Sequence, residues 1–135
     1  MPLTYMYITN RPQVARIAQN AGVDRVWIDL EYMGKEQRQK GMDSVKSRHQ
    51  LSDIRSIRPL LRKSALQVRV NPLHDGSPAE ISAAIDNGAD IVMLPMWKTA
   101  DDVKRFVELV NGRAKVLLLL ETKEADRNLA QTLEV

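Results

Sequence analysis

The chain has 135 residues, 44% of them hydrophobic and 27% charged, with 20 Lys and Arg beside 17 Asp and Glu and a formal charge of +3. These values fit one globular domain over residues 1–135 and exclude a disordered or fibrous chain, while the mixed charge reads as a solvated surface with no nucleic-acid partner. Cysteine is absent, which excludes disulfides, thiolate metal sites and a cysteine nucleophile; the longest apolar run, residues 116–120, is far short of the ~20 a membrane helix needs, and with no basic-then-apolar leader the expected location is the cytoplasm.

Residues 3–8 (LTYMYI) form a first β-prone run, and Thr9 or Asn10 can cap a helix with Pro12 in its first turn. Val14, Ile17, Ala18 and Ala21 fall at helical spacing, and Gly22 stops that helix. Residues 25–29 are the second strand. They lead into Glu31, and alternation along a strand puts Asp29 and Glu31 on one face with Leu30 on the other. Two acids sharing a face at a strand's C-terminal end repel each other unless cations, a metal shell or a catalytic role compensates. The irregular stretch at about 31–50 is longer than a usual strand-to-helix connection and is expected to cover something.

Ser52 is the expected N-cap of a helix through Lys63, with Ile54, Ile57, Leu60 and Leu61 on one face and a bend at Pro59. Residues 65–70 (ALQVRV) make the third strand, and the turn-rich stretch 74–78 opens a helix that ends at Asn87 and Gly88. Residues 90–94 are the fourth strand, closed by Pro95. Thr99 caps a helix carrying Val103, Phe106, Val107 and Val110, which Gly112 ends. Residues 115–120 (KVLLLL) read as a parallel strand buried on both faces, and Thr122 starts a last helix toward Leu133.

Strand and helix alternate five times, which implies a parallel sheet with right-handed crossovers. Each unit takes roughly 27 residues, so a complete eight-unit barrel would need about 220 to 250. The choice lies between an open doubly wound sheet and a partial TIM (β/α) barrel of about five βα units. No glycine-rich turn follows the first strand, which favours the barrel and ranks a nucleotide binder last. In either architecture the active face is the C-terminal end of the strands. That face carries Asp29, Glu31, Arg69, Asn71, Pro95, Met96, Lys98, Glu121 and Thr122. Arg69, flanked by Val68 and Val70, needs paired oxygens; it can grip a substrate carboxylate or neutralise Asp29 or Glu31, and its position leaves these readings equal. Glu121 suits Mg²⁺ or Mn²⁺, or else simply opposes the dipole of the last helix.

With those residues placed, the sequence resembles the HpcH/HpaI aldolase and citrate lyase family of metal-dependent barrels. The resemblance lies in residues 28–31 (IDLE), 68–72 (VRVNP), 88–96 (GADIVMLPM) and 119–122 (LLET) with Glu124 and Ala125, in family order across nearly the whole chain. It implies a small-molecule carboxylate substrate, an enolate formed next to the carbon–carbon bond that is made or broken, a divalent cation (Mg²⁺ or Mn²⁺) and a homo-oligomer. Glu121 would correspond to the first metal-ligand carboxylate, Arg69 to the arginine touching the α-keto acid, Glu31 to the acid that orders metal-bound water, and Pro95 and Thr122 to substrate contacts. Two departures stand out. Tyr32 occupies the place of the histidine base, with His49 as the candidate substitute, and the second metal-ligand aspartate would follow a sixth strand that residues 1–135 do not include. The competing expectation is a non-enzymatic truncated barrel whose unpaired first and fifth strands drive self-association.

Overall fold

A computed structural model of the chain describes residues 2–34 and 48–135. Five parallel strands, β1 (Met6–Ile8), β2 (Arg25–Asp29), β3 (Ala65–Arg69), β4 (Ile91–Leu94) and β5 (Lys115–Leu118), pair strictly in sequence order. A doubly wound sheet reverses its strand order at a switch point. This one never does, as in a barrel, so the fold is a parallel α/β sheet with the topology of a partial barrel.

Among the described residues the helices are α1 (Pro12–Asn20), α2 (Leu51–Ile57), α3 (Ser77–Asp86), α4 (Ala100–Val110), α5 (Lys123–Arg127) and α6 (Leu129–Thr132), with a 3₁₀ turn at Arg58–Leu60 after α2. None among the described residues is long and apolar enough to cross a membrane. The expected helix at 52–63 is shorter, and its cap differs. The backbone N–H of Gln50 donates to the Asp53 carboxylate at 2.7 Å, so α2 starts one residue before Ser52, and Pro59 tightens its end into 3₁₀ geometry. The last helix divides at Asn128, and β1 is limited to its last three residues. Thr99 and Thr122 cap as expected, accepting from Asp102 N–H at 3.1 Å and Ala125 N–H at 3.0 Å. The expected covering role of the 31–50 stretch falls mostly outside the described residues.

Register explains the two faces of the sheet. Val26, Ile28, Leu66, Val68, Val70, Val92 and Leu94 join Ala15, Ile54, Ile57, Ile81, Phe106 and Val110 in one core between sheet and helices. The alternate positions, Trp27, Asp29, Gln67, Arg69, Ile91 and Met93, point to the other face, the interior side of the incomplete barrel. Gln67 Nε2 and Trp27 Nε1, at paired positions on that side, are buried without a hydrogen-bond partner among the described residues. The edge strand β1 leaves Tyr5, Met6, Tyr7 and Ile8 exposed.

Candidate functional site

Register also brings the first polar cluster together. Asp29 of β2 lies directly beside Arg69 of β3. The guanidinium donates from Nε to Asp29 Oδ1 at 2.9 Å and from Nη2 to Oδ2 at 2.7 Å, a two-pronged pair that matches the planar fork to the carboxylate. Glu31 Oε2 lies 3.1 Å from the same Nε, and the guanidinium stacks on the Trp27 ring with its carbon 4.9 Å from the centroid. Both carboxylate residues are almost fully buried, 2% exposed for Asp29 and 3% for Glu31. Burial pulls the Arg69 pKa down. The hydrogen bond to Asp29 and the fields of Asp29, Glu31 and Glu121 outweigh it, so the net shift is upward and the charge is secure. Of the two readings of Arg69, the structure shows the ion pair: its Nε and Nη2 engage this chain's own carboxylate.

The backbone around Glu31 is held at consecutive amides. Leu30 N–H donates to the Arg69 carbonyl at 2.9 Å, and Glu31 N–H to Asp29 Oδ1 at 3.2 Å. Tyr32 and Met33 N–H both donate to Asn71 Oδ1 at 2.9 Å. Tyr32, in the place of the expected base, is 68% exposed. His49 Nδ1 accepts the Asp29 backbone N–H at 2.9 Å. With Tyr32, Asn71, His74 and Glu80 it lines a cavity of about 260 Å³ between the starts of α2 and α3.

A second cluster joins the loops after β4 and β5. Met96 has φ 53°, a left-handed backbone that costs a non-glycine residue energy and tends to persist where function or surrounding contacts hold it. In that conformation its N–H donates to Glu121 Oε1 at 2.9 Å. The Thr122 hydroxyl, besides capping α5, donates to the Trp97 carbonyl at 2.8 Å, and Asn128 Nδ2 donates to the Lys98 carbonyl at 2.9 Å. Pro95 is buried between β4 and this loop.

The structure therefore gathers Asp29, Glu31 and Arg69 in one cluster and Glu121, Met96 and Thr122 in another, both at the C-terminal ends of the strands, with Glu121 close enough to act on Arg69 through its field. A metal centre needs more. Among the described residues no group of three or more His, Asp or Glu is placed to hold an ion, and Glu121 supplies one carboxylate with one oxygen already bound to Met96. These residues do not make a complete metal site by themselves. Sequence reasoning put Asn71 and Met96 on the active face without giving them a role and passed over Glu80; a buried Asn after a strand was the available signal for the first, and a backbone dihedral leaves none for the second.

Residues 4–131 match the HpcH/HpaI aldolase/citrate lyase family. Among solved structures, the chain is similar to the citrate synthase SbnG, with a TM-score of 0.72 and 17% identity, covering 98% of this chain and 57% of that one. It is also similar to an HpcH/HpaI aldolase from Desulfitobacterium hafniense DCB-2, with a TM-score of 0.73, 15% identity and coverage of 98% and 58%. A third likeness is to an HpcH/HpaI aldolase/citrate lyase family protein from Burkholderia cenocepacia J2315, with a TM-score of 0.69, 19% identity and coverage of 96% and 59%. The chain thus spans less than two thirds of the length of these structures. No curated protein matches the sequence.

Proposed function

The chain belongs to the HpcH/HpaI aldolase/citrate lyase family, and from that premise we propose that it carries part of the site of a lyase that makes or breaks a carbon–carbon bond next to an enolate of an α-keto acid or related carboxylate. The observation that supports this most is the buried Asp29, Arg69 and Glu31 cluster at the C-terminal ends of β2 and β3. A cation held rigidly in a low-dielectric site stabilises negative charge as it develops on an oxygen, and its partners prevent it from reorganising during the reaction.

In the cleavage direction the hydroxyl proton of the substrate leaves to a base, the carbon–carbon bond breaks to give an aldehyde, and its electrons pass to the enolate, which is then protonated on carbon. Arg69 would face the enolate oxygen, Glu31 would hold water beside it, and Pro95 and the Thr122 region would wall the substrate. His49 is the candidate base; because its Nδ1 accepts the Asp29 N–H, the neutral ring carries its proton on Nε2, so His49 would have to give up that bond and take the substrate's proton on Nδ1. Mg²⁺ or Mn²⁺ is the cation class we assign, for Lewis-acid polarisation of the substrate carbonyl, with Glu121 as its candidate carboxylate among the described residues. We place the protein in the cytoplasm.

The test uses the 135-residue chain with Mn²⁺ and a 4-hydroxy-2-oxo acid, following pyruvate release, and in parallel titrates pyruvate by calorimetry. The expected result is little or no turnover together with pyruvate binding that Glu121→Ala removes; Glu121 is exposed, so losing its bond to Met96 N–H should cost no more than about 1.5 kcal/mol of stability. Robust turnover abolished by Glu121→Ala would overturn the partial-site reading, and no pyruvate binding at millimolar concentration would overturn the lyase reading. The exposed apolar residues of β1 favour a second reading, a non-enzymatic module that self-associates through its β1 and β5 edges. It requires a molecular size that rises with concentration in light scattering and no pyruvate binding.

A further inference from the structure

Asn71 is almost fully buried, and its interactions join two parts of the chain that no local pattern connects. Its Oδ1 accepts from both Tyr32 and Met33 N–H, the two amides that follow Glu31. Its Nδ2 and its backbone N–H both donate to Glu80 Oε1, at 2.9 and 2.8 Å, which fixes the amide with oxygen toward the Glu31 loop and nitrogen toward the first turn of α3. Glu80 Oε2 lies 2.9 Å from His74 Nε2, and His74 Nδ1 accepts Gly76 N–H at 3.0 Å, so Nε2 carries the proton and donates. A Cβ at Gly76 would sit 2.7 Å from His74 Cε1, so the turn that seats the ring needs glycine. The result is two runs of hydrogen bonds that converge on Glu80: Gly76 to His74 to Glu80, and the Tyr32 and Met33 amides to Asn71 to Glu80.

We propose that Asn71 is a positioning residue for Glu31, aimed by Glu80 and His74, so that the first turn of α3 sets where the Glu31 carboxylate sits. This rests on the reading of Glu31 as an acid of the site. The chemistry of the side chain suits that role. A neutral amide can accept from two backbone N–H groups and donate to a carboxylate at once, whereas an aspartate at the same position would accept from the loop but meet Glu80 with like charge. Glu31 is thereby held from behind through the amides that follow it, and its own side chain stays beside Arg69.

The experiment measures amide hydrogen exchange in the full chain, with pyruvate titration in the presence of Mn²⁺ as a second arm. In Asn71→Asp, the Tyr32 and Met33 amides should exchange roughly tenfold faster, the equivalent of one net hydrogen bond, while Val68 and Val92 in the sheet keep their protection. Combining Asn71→Asp with Glu80→Gln should restore part of that protection, because the glutamine amide can donate to the new carboxylate and accept from His74, while the residue 71 backbone N–H gives up its bond to that side chain. Pyruvate affinity should fall in the single variant and recover in the double one. Unchanged exchange at Tyr32 and Met33, or no recovery in the double variant, overturns the proposal. Faster exchange throughout the sheet would mean a general loss of fold, and Asn71→Ser, which keeps a smaller uncharged acceptor, then decides by whether its exchange change is confined to residues 31–33. If the unsubstituted chain binds no pyruvate, the lyase reading fails while the exchange arm still decides the positioning role.

Discussion

Replacing Arg69 with alanine is expected to lower the unfolding free energy by about 3–5 kcal/mol, the usual cost of removing one partner from a buried ion pair. The loss does not equal the worth of the pair. Asp29 and Glu31, 2% and 3% exposed in the natural chain, would lose the guanidinium between them, and two like charges sharing one face of a strand end is the arrangement that needed compensation in the first place. Against a total stability of about 5–15 kcal/mol for an ordinary domain, such a change can unfold most of the population. Urea unfolding followed by circular dichroism measures it. Arg69→Lys keeps the charge and loses the two-pronged fit, so it should fall between alanine and the natural residue. A loss below about 1 kcal/mol in the alanine variant would show the cluster to be solvated rather than buried. The sign of the pH dependence follows from the raised Arg69 pKa. A raised pKa gives stability that is fully present below the unfolded value and is lost only as pH rises through the folded one, here strongly alkaline, so Arg69 itself adds no slope between about pH 5 and 9.

The second large effect is expected at Gln19→Ala, at about 2–3 kcal/mol. Gln19 Oε1 accepts from the Arg62, Lys63 and Ser64 amides at 2.6, 2.8 and 3.2 Å, and its Nε2 donates to the Leu60 carbonyl at 3.1 Å. One side chain of α1 therefore closes the turn that feeds β3. Without it three consecutive N–H groups lose their acceptor, one of them on buried Ser64, and water can replace only part of what is lost. Gln19→Glu keeps the acceptor and loses the donor, and should cost less than alanine. Thermal unfolding of the pair checks this, and equal midpoints for Gln19→Ala and the natural chain would sink it.

Gln19 also marks the limit of sequence reading. A glutamine on a helix at polar spacing looks like solvent-facing surface, and nothing local says that a turn more than forty residues later will dock on it. Thr99 and Thr122 are the opposite case. A cap satisfies amides two or three positions onward, so its partners lie within the same stretch of sequence, and both were legible in advance. Ser52 was the expected cap, but the reach of Asp53 to Gln50 N–H makes Gln50 the cap and starts α2 at Leu51.

The same division holds for the site. Alternation along β2 places Asp29 and Glu31 on one face, and a charged residue between two valines marks Arg69 as needing oxygens. Neither fact says that β2 and β3 are neighbours with Asp29 opposite Arg69. Five βα units, the shared face of Asp29 and Glu31 and the residues available at the strand ends are written locally, because periodicity, caps and turn residues act over a few positions. The expected burial of 115–120 on both faces fails, since β5 is an edge strand with Lys115 and Leu120 exposed. The sequential strand order, the Asp29 to Arg69 register, the left-handed Met96 that turns its N–H to Glu121, and the hold of Asn71 on the Glu31 loop emerge only in the folded sheet. Those depend on pairing between distant segments and on backbone dihedrals, which are set when the whole sheet closes on one core.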